Sequence, residues 1–428
     1  MTKGIVIGGG LAGLSTSVYL AQNGIKVILI EASPKLGGRT YSFCYDKQET
    51  IIDNGQHIMM GCYNYTLDFL EVINAKDTIE FQNNLKVVFV EAGGKYSELN
   101  ANKFFYPVNL LLGILKYSSL RFRDRMLIAK LMIKLPLIDL KYLRNKTVNQ
   151  WLIEEGQSNQ SIKKFWSIIA IGTLNSELDV ASAEIFCRIL KIIFLSGNNS
   201  TKIVLPKGGL SEVFGNNAKK FLQEKNVEIR SSEKVTGFSF ENNFIKEVKT
   251  NSGSYSDFDF VVSCVPNYSL NKILENFAED FKFEYSPIVT VHLWLNDNPF
   301  TERFYGLVDS KVHWLFNNKT HISLLTSSAF NIAVLENNEL FEIICSELEN
   351  YFPIFYRNLV KDYKVIKEKR ATFLPTVEYC KRRSNIDSSI KNLYFAGDWT
   401  INELPATIES AIKSGKIAAD NVISDFIN

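Results

Sequence analysis

Residues 4–31, GIVIGGGLAGLSTSVYLAQNGIKVILIE, predict a strand–helix–strand unit at the start of the chain. Residues 4–8 are a short apolar run typical of a buried strand, and residues 11–23 have helical periodicity. A second apolar run at residues 27–31 ends at the acidic residue Glu31. A parallel pair of strands joined by a helix is the basic unit of the Rossmann fold.

Three glycines at the junction of the first strand and the helix predict the function of this unit. Gly8, Gly10 and Gly13 have the spacing GxGxxG. Glycine permits the tight turn, the approach of the backbone to a pyrophosphate and close helix packing, while the helix N-terminus supplies unpaired N–H donors. Glu31 follows Gly13 by about 18 residues, where a carboxylate accepts from a ribose hydroxyl. The stretch therefore predicts a dinucleotide site rather than a glycine-rich turn in a core.

The continuation EASPKLGGRTYSF indicates which dinucleotide is bound. Gly37, Gly38 and Arg39 follow a short loop, and here the sequence resembles the glutathione-reductase-type flavoproteins, which include amine oxidases and carotenoid desaturases. The resemblance implies FAD as cofactor, with Gly38 and Arg39 at its diphosphate. The alternative for Arg39 is a surface arginine after a turn.

The C-terminal stretch YFAGDWTINELPATIESAIKSGKIAAD, residues 394–420, resembles a second part of the same site. The resemblance implies that Gly397 and Asp398 hold the ribityl chain and pyrophosphate. It also implies that the next helix, beginning near Thr407 and Ile408, points its N-terminus at the flavin ring. The strand near Val235 is expected beside the adenine, although that stretch is also typical of a plain hairpin.

Composition is that of a globular protein with room for two domains. The 428 residues are 46% apolar and 22% charged, and the net charge of +2 gives no reason to expect nucleic acid as a partner. Six cysteines show no CxxC spacing, which favours free thiols in a reducing compartment. We find no metal-ligand spacing, signal peptide or membrane-spanning window in the sequence, and we expect a cytoplasmic protein.

The stretch IDNGQHIMMGCY, residues 52–63, narrows the resemblance. This stretch resembles a segment of the plant-type phytoene desaturases. It resembles more closely a segment of the squalene-associated flavoproteins called hydroxysqualene dehydroxylases. The likeness covers essentially the whole chain and departs at Glu403, Ser410 and Lys413, where the family usually has glycine, glycine and arginine. Further matching segments are residues 172–186, 205–214, 286–295, 370–375 and 396–415.

The resemblance implies an α/β fold with α+β insertions, in which a glutathione-reductase-type Rossmann domain carries a discontinuous substrate domain. We expect residues 1–72, 200–285 and 385–428 to form the FAD-binding domain. Residues 73–199 and 286–384, rich in Phe, Tyr, Leu and Ile, are expected to form the substrate domain.

The implied activity is reductive removal of the hydroxyl of hydroxysqualene to give squalene, in bacterial hopanoid synthesis. A carotenoid or phytoene desaturase is the main alternative, because the motifs do not separate hydride delivery from hydride removal. An amine oxidase is less favoured, since the tyrosine of its substrate cage is replaced by Thr407. A non-catalytic flavin-binding escort of a prenyl synthase is a further alternative, and association with such synthases is expected in either case.

Three polar residues of the 52–63 stretch are the predicted catalytic set. His57 is the predicted proton donor, because an unperturbed imidazole titrates near neutral pH. The alternative is a histidine that fixes the loop through a backbone hydrogen bond. Asp53 is expected to hold the loop or the histidine, and Gln56 to orient substrate or flavin.

Residues 103–146 form a basic, apolar segment. It contains ten Lys or Arg and two Asp, alternating with runs such as RMLIAKLMIKLPLI. A basic amphipathic helical pair is typical of a protein that lies on an anionic membrane surface. The sequence thus predicts a protein that lies on the inner face of the membrane, where a lipophilic isoprenoid substrate would be found. The alternative is a helical cap with a solvated basic face.

Overall fold

A parallel five-stranded sheet contains the strands predicted from the first 31 residues. The computed structural model describes residues 2–274, 283–382, 388, 390–401 and 403–426. Neighbouring strands of this sheet are all paired in parallel, in the order β10–β2–β1–β14–β20. They are β10 (Glu228–Ser231), β2 (Lys26–Glu31), β1 (Lys3–Ile7), β14 (Phe260–Ser263) and β20 (Leu393–Phe395). Distant parts of the chain therefore build one sheet.

Two helices from opposite ends of the chain pack together on one face of this sheet. They are α1 (Leu11–Gln22) and α14 (Ile408–Phe426). Small residues allow the close approach, since a Cβ on Gly415 would lie 2.3 Å from the Ala12 carbonyl oxygen. The Ser15 hydroxyl also donates to the Ile412 carbonyl oxygen across the interface at 2.8 Å. Small residues on both helices thus let the last helix pack closely against the dinucleotide unit.

Smaller antiparallel sheets surround the parallel sheet. A three-stranded sheet consists of β11 (Val235–Glu241), β12 (Phe244–Thr250) and β13 (Ser254–Tyr255). A hairpin consists of β3 (Ser42–Tyr45) and β4 (Thr50–Asp53), and a further sheet has the order β5 (Met59–Met60), β9 (Ile203–Pro206) and β6 (Ile79–Phe81). The 52–63 stretch therefore begins at the end of β4 and passes through β5.

A mixed seven-stranded sheet lies in the regions predicted as the substrate domain. Only its β16–β7 pair is parallel among the described pairings. The order is β19 (Val360–Phe373), β15 (Tyr285–Leu295), β18 (Ile322–Thr326), β17 (Trp314–Asn317), β16 (Phe304–Leu307), β7 (Lys86–Glu91) and β8 (Lys95–Asn100). Alternate β15 residues Val289, Val291 and Leu293 share an apolar cluster with α12 (Asn337–Tyr351). The intervening β15 residues face the other way.

A group of helices between residues 108 and 195 covers part of this second sheet through a large apolar cluster. They are α3 (Val108–Lys116), α4 (Phe122–Lys134), α5 (Leu140–Leu143), α6 (Val148–Glu154), α7 (Asn159–Ser161), α8 (Ser167–Leu174) and α9 (Ala183–Leu195). The remaining helices are α2 (Asn64–Val72), α10 (Asn217–Glu224), α11 (Asn267–Ile273) and α13 (Val377–Arg382). None of the described helices has the length and apolarity needed to cross a membrane.

Candidate functional site

The glycine loop after β1 has the geometry that the GxGxxG spacing predicts. Gly8 has a φ of +103°, which favours glycine, and a Cβ on Gly13 would lie only 1.8 Å from the Gly8 carbonyl oxygen. Gly13 is therefore needed for the contact between helix and strand. At Gly10, by contrast, an added Cβ would meet only the Gly38 Cα, at 3.9 Å. The space beside Gly10 is open, as a backbone that approaches a pyrophosphate requires.

Glu31 lies at the end of β2, beside this loop. Its carboxylate accepts hydrogen bonds from the backbone N–H groups of Gly9 and Ser33, the latter at 2.7 Å. The carbonyl oxygen of Glu31 accepts from the N–H of Glu233, two residues before Val235. Val235 itself is buried in the apolar cluster on the far face of the sheet. The structure thus brings the predicted ribose and adenine residues to one edge.

Arg39 connects three separate parts of the chain. Gly37 and Gly38 both have positive φ, and Gly38 lies against Gly10. One guanidinium nitrogen of Arg39, Nη2, donates to Asp398 Oδ2 at 2.7 Å, and the other, Nη1, donates to the Ala371 carbonyl oxygen at 2.6 Å. Burial opposes the charge on Arg39, but the Asp398 carboxylate outweighs it and raises the pKa of the guanidinium. Two predicted cofactor residues, far apart in sequence, are therefore directly paired.

The turn after β20 positions Asp398. Gly397 has a φ of +153°, and a Cβ there would lie 2.5 Å from the Trp399 indole nitrogen. The Gly397 N–H donates to Ser414 Oγ at 2.8 Å, which fastens the turn to α14. Trp399 donates through its indole nitrogen to the Val265 carbonyl oxygen after β14. Glycine is therefore required at position 397 for the turn that carries the aspartate.

Thr407 and Ile408 mark the start of α14. The Thr407 N–H donates to Ser410 Oγ at 2.9 Å, and the Ser410 N–H donates back to Thr407 Oγ1 at 3.2 Å. This reciprocal pair satisfies free backbone donors at the helix N-terminus. Ile408 is buried in the core shared with α1. Ser410, one of the departures from the family pattern, is thus part of the helix cap.

Asp53 fastens the end of β4 to two other segments. Its Oδ1 accepts from Ser42 Oγ at 2.6 Å and from the Leu210 N–H at 2.9 Å. The residue is buried, and burial raises the pKa of its carboxyl while these two bonds oppose the rise. Asp53 therefore holds the loop in place and makes no hydrogen bond to His57 among the described contacts.

His57 follows in the loop and has a defined tautomer. Its Nδ1 lies 2.8 Å from the Gly55 carbonyl oxygen, and a carbonyl can only accept, so Nδ1 carries the proton. Burial lowers the pKa of His57, Arg39 acts in the same direction, and the Gly55 carbonyl and Asp53 oppose both. The neutral imidazole therefore presents a bare Nε2. Gln56 beside it is partly exposed and has no hydrogen-bond partner among the described residues.

His292 on β15 supports the end of β4, and the sequence motifs did not predict it. It is fully buried, and its Nε2–H donates to the Asp53 carbonyl oxygen at 3.2 Å while Nδ1 pairs with Ser323 Oγ at 2.8 Å. Burial lowers its pKa to about 3, so it is neutral. The alternation VTVHLWL could have indicated it, since Thr290 and His292 share a face, and Thr290 Oγ1 lies 3.6 Å from a Cβ placed on Gly55.

Glu409, in the first turn of α14, is the second missed residue. Its carboxylate accepts from the N–H of Tyr65 at 3.0 Å, the N–H of Thr66 at 2.9 Å and Thr66 Oγ1 at 2.7 Å. It is 6% exposed. Glu409 thereby holds the N-terminus of α2, just after the 52–63 stretch, against the helix that the C-terminal motif supplies. Its neighbours are far apart in sequence, so no local pattern indicated this contact.

These contacts define one site with two different sides. On one side the open glycine backbone at Gly10 and Gly38, the helix N-terminus and the Arg39 guanidinium suit a dinucleotide diphosphate. On the other side the loop turns apolar directly after His57, where Ile58, Met60 and Tyr63 pack against the large apolar cluster of the helices. The residues present therefore fit FAD beside an apolar region of the protein.

Comparisons with known proteins find related flavoproteins. The family described as flavin containing amine oxidoreductase matches residues 11–423. A hydroxysqualene dehydroxylase from Zymomonas mobilis subsp. mobilis is 26% identical over 98% of each chain, and one from Sinorhizobium fredii is 24% identical over 98% of each. A 15-cis-phytoene desaturase from Glycine max is 21% identical over 98% of this chain and 79% of its own.

Solved structures show the same fold at low sequence identity. A triple mutant of putrescine oxidase superposes with a TM-score of 0.76 at 14% identity, covering 99% of each chain. Cyclohexylamine oxidase from Brevibacterium oxydans gives a TM-score of 0.73 at 13% identity over 100% of each chain. The predicted fold class is therefore confirmed.

Proposed function

The chain belongs to the flavin-containing amine oxidoreductase family and is an FAD-dependent oxidoreductase, and on this premise we propose that it reduces hydroxysqualene to squalene. Relatives with the name hydroxysqualene dehydroxylase match over nearly the full length of both chains, which supports a shared reaction. The observation that carries the proposal is the position of Gln56 and His57. Both belong to the polar loop, residues 53–57, which leads from the end of β4 to apolar residues of the large cluster, and His57 lies close enough to Arg39 for their charges to interact.

Two neighbouring polar side chains in apolar surroundings suit a hydrocarbon alcohol. Such a substrate needs apolar contact along its length and one hydrogen-bonding position for its hydroxyl. Gln56 has an amide with both donor and acceptor atoms and no partner in the described part of the chain. We propose that Gln56 and the Nε2 of His57 receive the substrate hydroxyl.

The cofactor is held by residues from both ends of the chain in this proposal. The backbone at Gly8, Gly10 and Gly38 and the guanidinium of Arg39 would contact the diphosphate, and Glu31 would contact the ribose. Asp398 and the N-terminus of α14 would lie on the flavin side. When bound and reduced, FAD supplies a hydride to carbon.

The proposed reaction breaks one carbon–oxygen bond. The hydroxyl takes a proton and leaves as water, and the carbon takes a hydride, so an alcohol and two reducing equivalents give a hydrocarbon and water. The chain has to orient the alcohol, exclude water and hold a proton at the departing oxygen. Asp53 and His292 act by fixing the loop that presents His57.

The proton in this scheme comes from the protonated form of His57. The resting imidazole is neutral with a bare Nε2, so that nitrogen gains a proton before it donates one. Because burial lowers the pKa of His57, the protonated fraction rises as pH falls toward that pKa. We therefore expect turnover to increase on the acid side of neutrality and to level off below the pKa of His57.

A phytoene-type desaturation is the second candidate, supported by the plant relatives named 15-cis-phytoene desaturase. That reaction needs no proton donor to oxygen and removes hydride from the lipid. Anaerobic incubation with reduced FAD and hydroxysqualene, and in parallel with oxidised FAD and phytoene, separates the two. Squalene supports dehydroxylation, whereas new conjugated double bonds that absorb at longer wavelength support desaturation.

We also propose that the α3–α6 region lies on a membrane surface. Phe104, Phe105 and Leu137 are 71%, 73% and 84% exposed, an apolar exposure uncommon for a solvated surface. Other exposed apolar side chains nearby in sequence are Phe122, Met126, Ile133, Tyr142 and Ile153. Exposed basic residues alternate with them, which suits anionic lipid head groups.

A further inference from the structure

A cleft separate from the glycine loop after β1 opens between α8 and the hairpin of β16 and β17. Its volume is about 380 Å³, within the range of small-molecule sites. Its walls come from the turn before α8, from α8 itself and from the loop joining the two strands. None of the residues assigned above to FAD or to the polar loop lines it.

The floor of the cleft is apolar. Ile168 and Ile171 contribute from α8, and Leu307 and Trp314 from the two strands. The Trp314 ring lies over α8 at Gly172, where an added Cβ would be 3.6 Å from the ring. A floor of this composition suits an alkyl or prenyl chain.

Two side chains that line the cleft, His313 and Trp314, each carry an N–H group without an acceptor among the described residues. The Nδ1 of His313 accepts from the Ser327 N–H at 3.1 Å, so His313 carries its proton on Nε2. No described residue accepts from that Nε2–H or from the indole N–H of Trp314, and both side chains line the cleft. A ligand with acceptor oxygens would satisfy them.

The charged groups at the cleft leave one lysine available. The Asp309 carboxylate pairs with Lys163 at 2.8 Å. The nearby Glu347 carboxylate accepts from the hydroxyl of Ser310 and from the backbone N–H of Lys311. The exposed Lys311 ammonium has no ion-pair partner in the part of the chain that the structure describes.

We propose that this cleft binds an amphiphile with a compact anionic head group and an apolar tail. The head group accepts from His313 Nε2, the Trp314 indole and Lys311, while the tail lies along Ile168 and Ile171. None of the cofactor-binding or polar-loop residues lines the cleft, so its test is a binding measurement and does not depend on turnover.

The test is calorimetric titration of the FAD-loaded protein with dodecyl phosphate below its critical micelle concentration. We expect saturable binding of one molecule, with dodecanol and inorganic phosphate each binding at least tenfold more weakly. Lys311→Gln should weaken binding about fivefold, since one unit charge at about 4 Å in water is worth about 1 kcal/mol. Trp314→Phe, which keeps the ring and loses the N–H, should weaken it by a similar factor.

Matched controls separate this cleft from other basic surfaces. Lys319→Gln removes an exposed lysine from the next turn of the same sheet and should leave binding unchanged. Replacing Arg121 and Arg123 by Gln should also leave it unchanged. Ser167→Phe, which fills the cleft from α8, should abolish binding while FAD content stays normal.

Three outcomes would overturn the proposal. One is equal binding of dodecanol and dodecyl phosphate, because the head group would then contribute nothing. Another is undiminished binding in both Lys311→Gln and Ser167→Phe. The third is loss of binding in the Arg121 and Arg123 variant, which would place the ligand on the membrane-facing helices.

Discussion

Glu409→Ala tests whether the contact between α14 and α2 maintains the site. The substitution leaves the buried N–H of Thr66 and the partly buried N–H of Tyr65 without an acceptor, while the Thr66 hydroxyl can rotate. An unsatisfied buried donor costs about 1–3 kcal/mol, so the two together cost about 2–6 kcal/mol. Removing the buried charge offsets part of this, because burial raises the pKa of Glu409. We expect a net loss of about 2–4 kcal/mol.

Urea unfolding of the FAD-loaded and FAD-free protein measures this loss. Asp68→Ala is the matched control, since Asp68 is exposed one turn further along α2 and should change stability by less than about 0.5 kcal/mol. FAD affinity should fall in Glu409→Ala and stay normal in the control, because the displaced α2 follows directly on the polar loop. A stability change below about 1 kcal/mol in Glu409→Ala would refute the assignment of this contact.

The pH dependence of the same position gives an independent check. A carboxyl whose pKa is raised by folding contributes stability that is fully present below its unfolded pKa of 4.5 and is lost as pH rises through the folded pKa. Glu409→Gln lacks this dependence. The free energy of unfolding of the variant minus that of the wild type should therefore increase from pH 4 to pH 7. A difference that stays constant or falls would contradict the buried carboxylate.

The remaining predictions concern the cofactor, the polar loop and the membrane. Gly10→Val should fold, because the space that its side chain enters is open in the protein. It should bind no FAD, because the diphosphate needs the same space. Normal flavin content in the folded variant would exclude Gly10 from the diphosphate site. His57→Phe should keep FAD and lower turnover by about 100-fold or more, with loss of the acid-side rise in the pH profile. Turnover at the wild-type rate with FAD bound would show that another group supplies the proton. Replacing Arg121 and Arg123 by Gln should weaken sedimentation with anionic vesicles at low salt by about 1 kcal/mol per charge, whereas Lys219→Gln with Lys220→Gln should not.

The fold could be predicted because its signals are local. The GxGxxG spacing, the strand before it and the acidic residue after it all lie within 28 residues, and the parallel strands and α1 form there. The family resemblance, FAD and the oxidoreductase class are likewise confirmed by the comparisons. Helices also form at 108–134, where a basic helical pair was predicted. Contact of that region with a membrane stays a prediction.

The contacts that build the site could not be read from the sequence, because they join distant segments. The pairing of Arg39 with Asp398 and the hold of Glu409 on α2 each span more than 300 positions. His292 lies in a strand whose alternation looks like ordinary core, and only the fold brings its Nε2 to the Asp53 carbonyl. The tautomer of His57 also depends on where its own backbone turns, which the residue types do not specify.

Arg125 shows a different limit of sequence reasoning. It belongs to the basic segment 103–146, but its guanidinium donates to the carbonyl oxygens of Leu115 and Leu120 at 2.7 and 2.8 Å. That arginine joins the end of α3 to α4 and is partly buried, so it is not free to meet a lipid head group. Charge counting along a sequence cannot separate such a residue from exposed neighbours such as Arg123.

The most direct test of the proposed function is an anaerobic single turnover with hydroxysqualene. The FAD-loaded protein is first reduced stoichiometrically, mixed with the alcohol, and followed by flavin absorbance while the lipids are extracted and identified. The proposal predicts that flavin reoxidises only when the alcohol is present and that one squalene forms for each flavin oxidised. Flavin that stays reduced, or reoxidises without forming squalene, would contradict it.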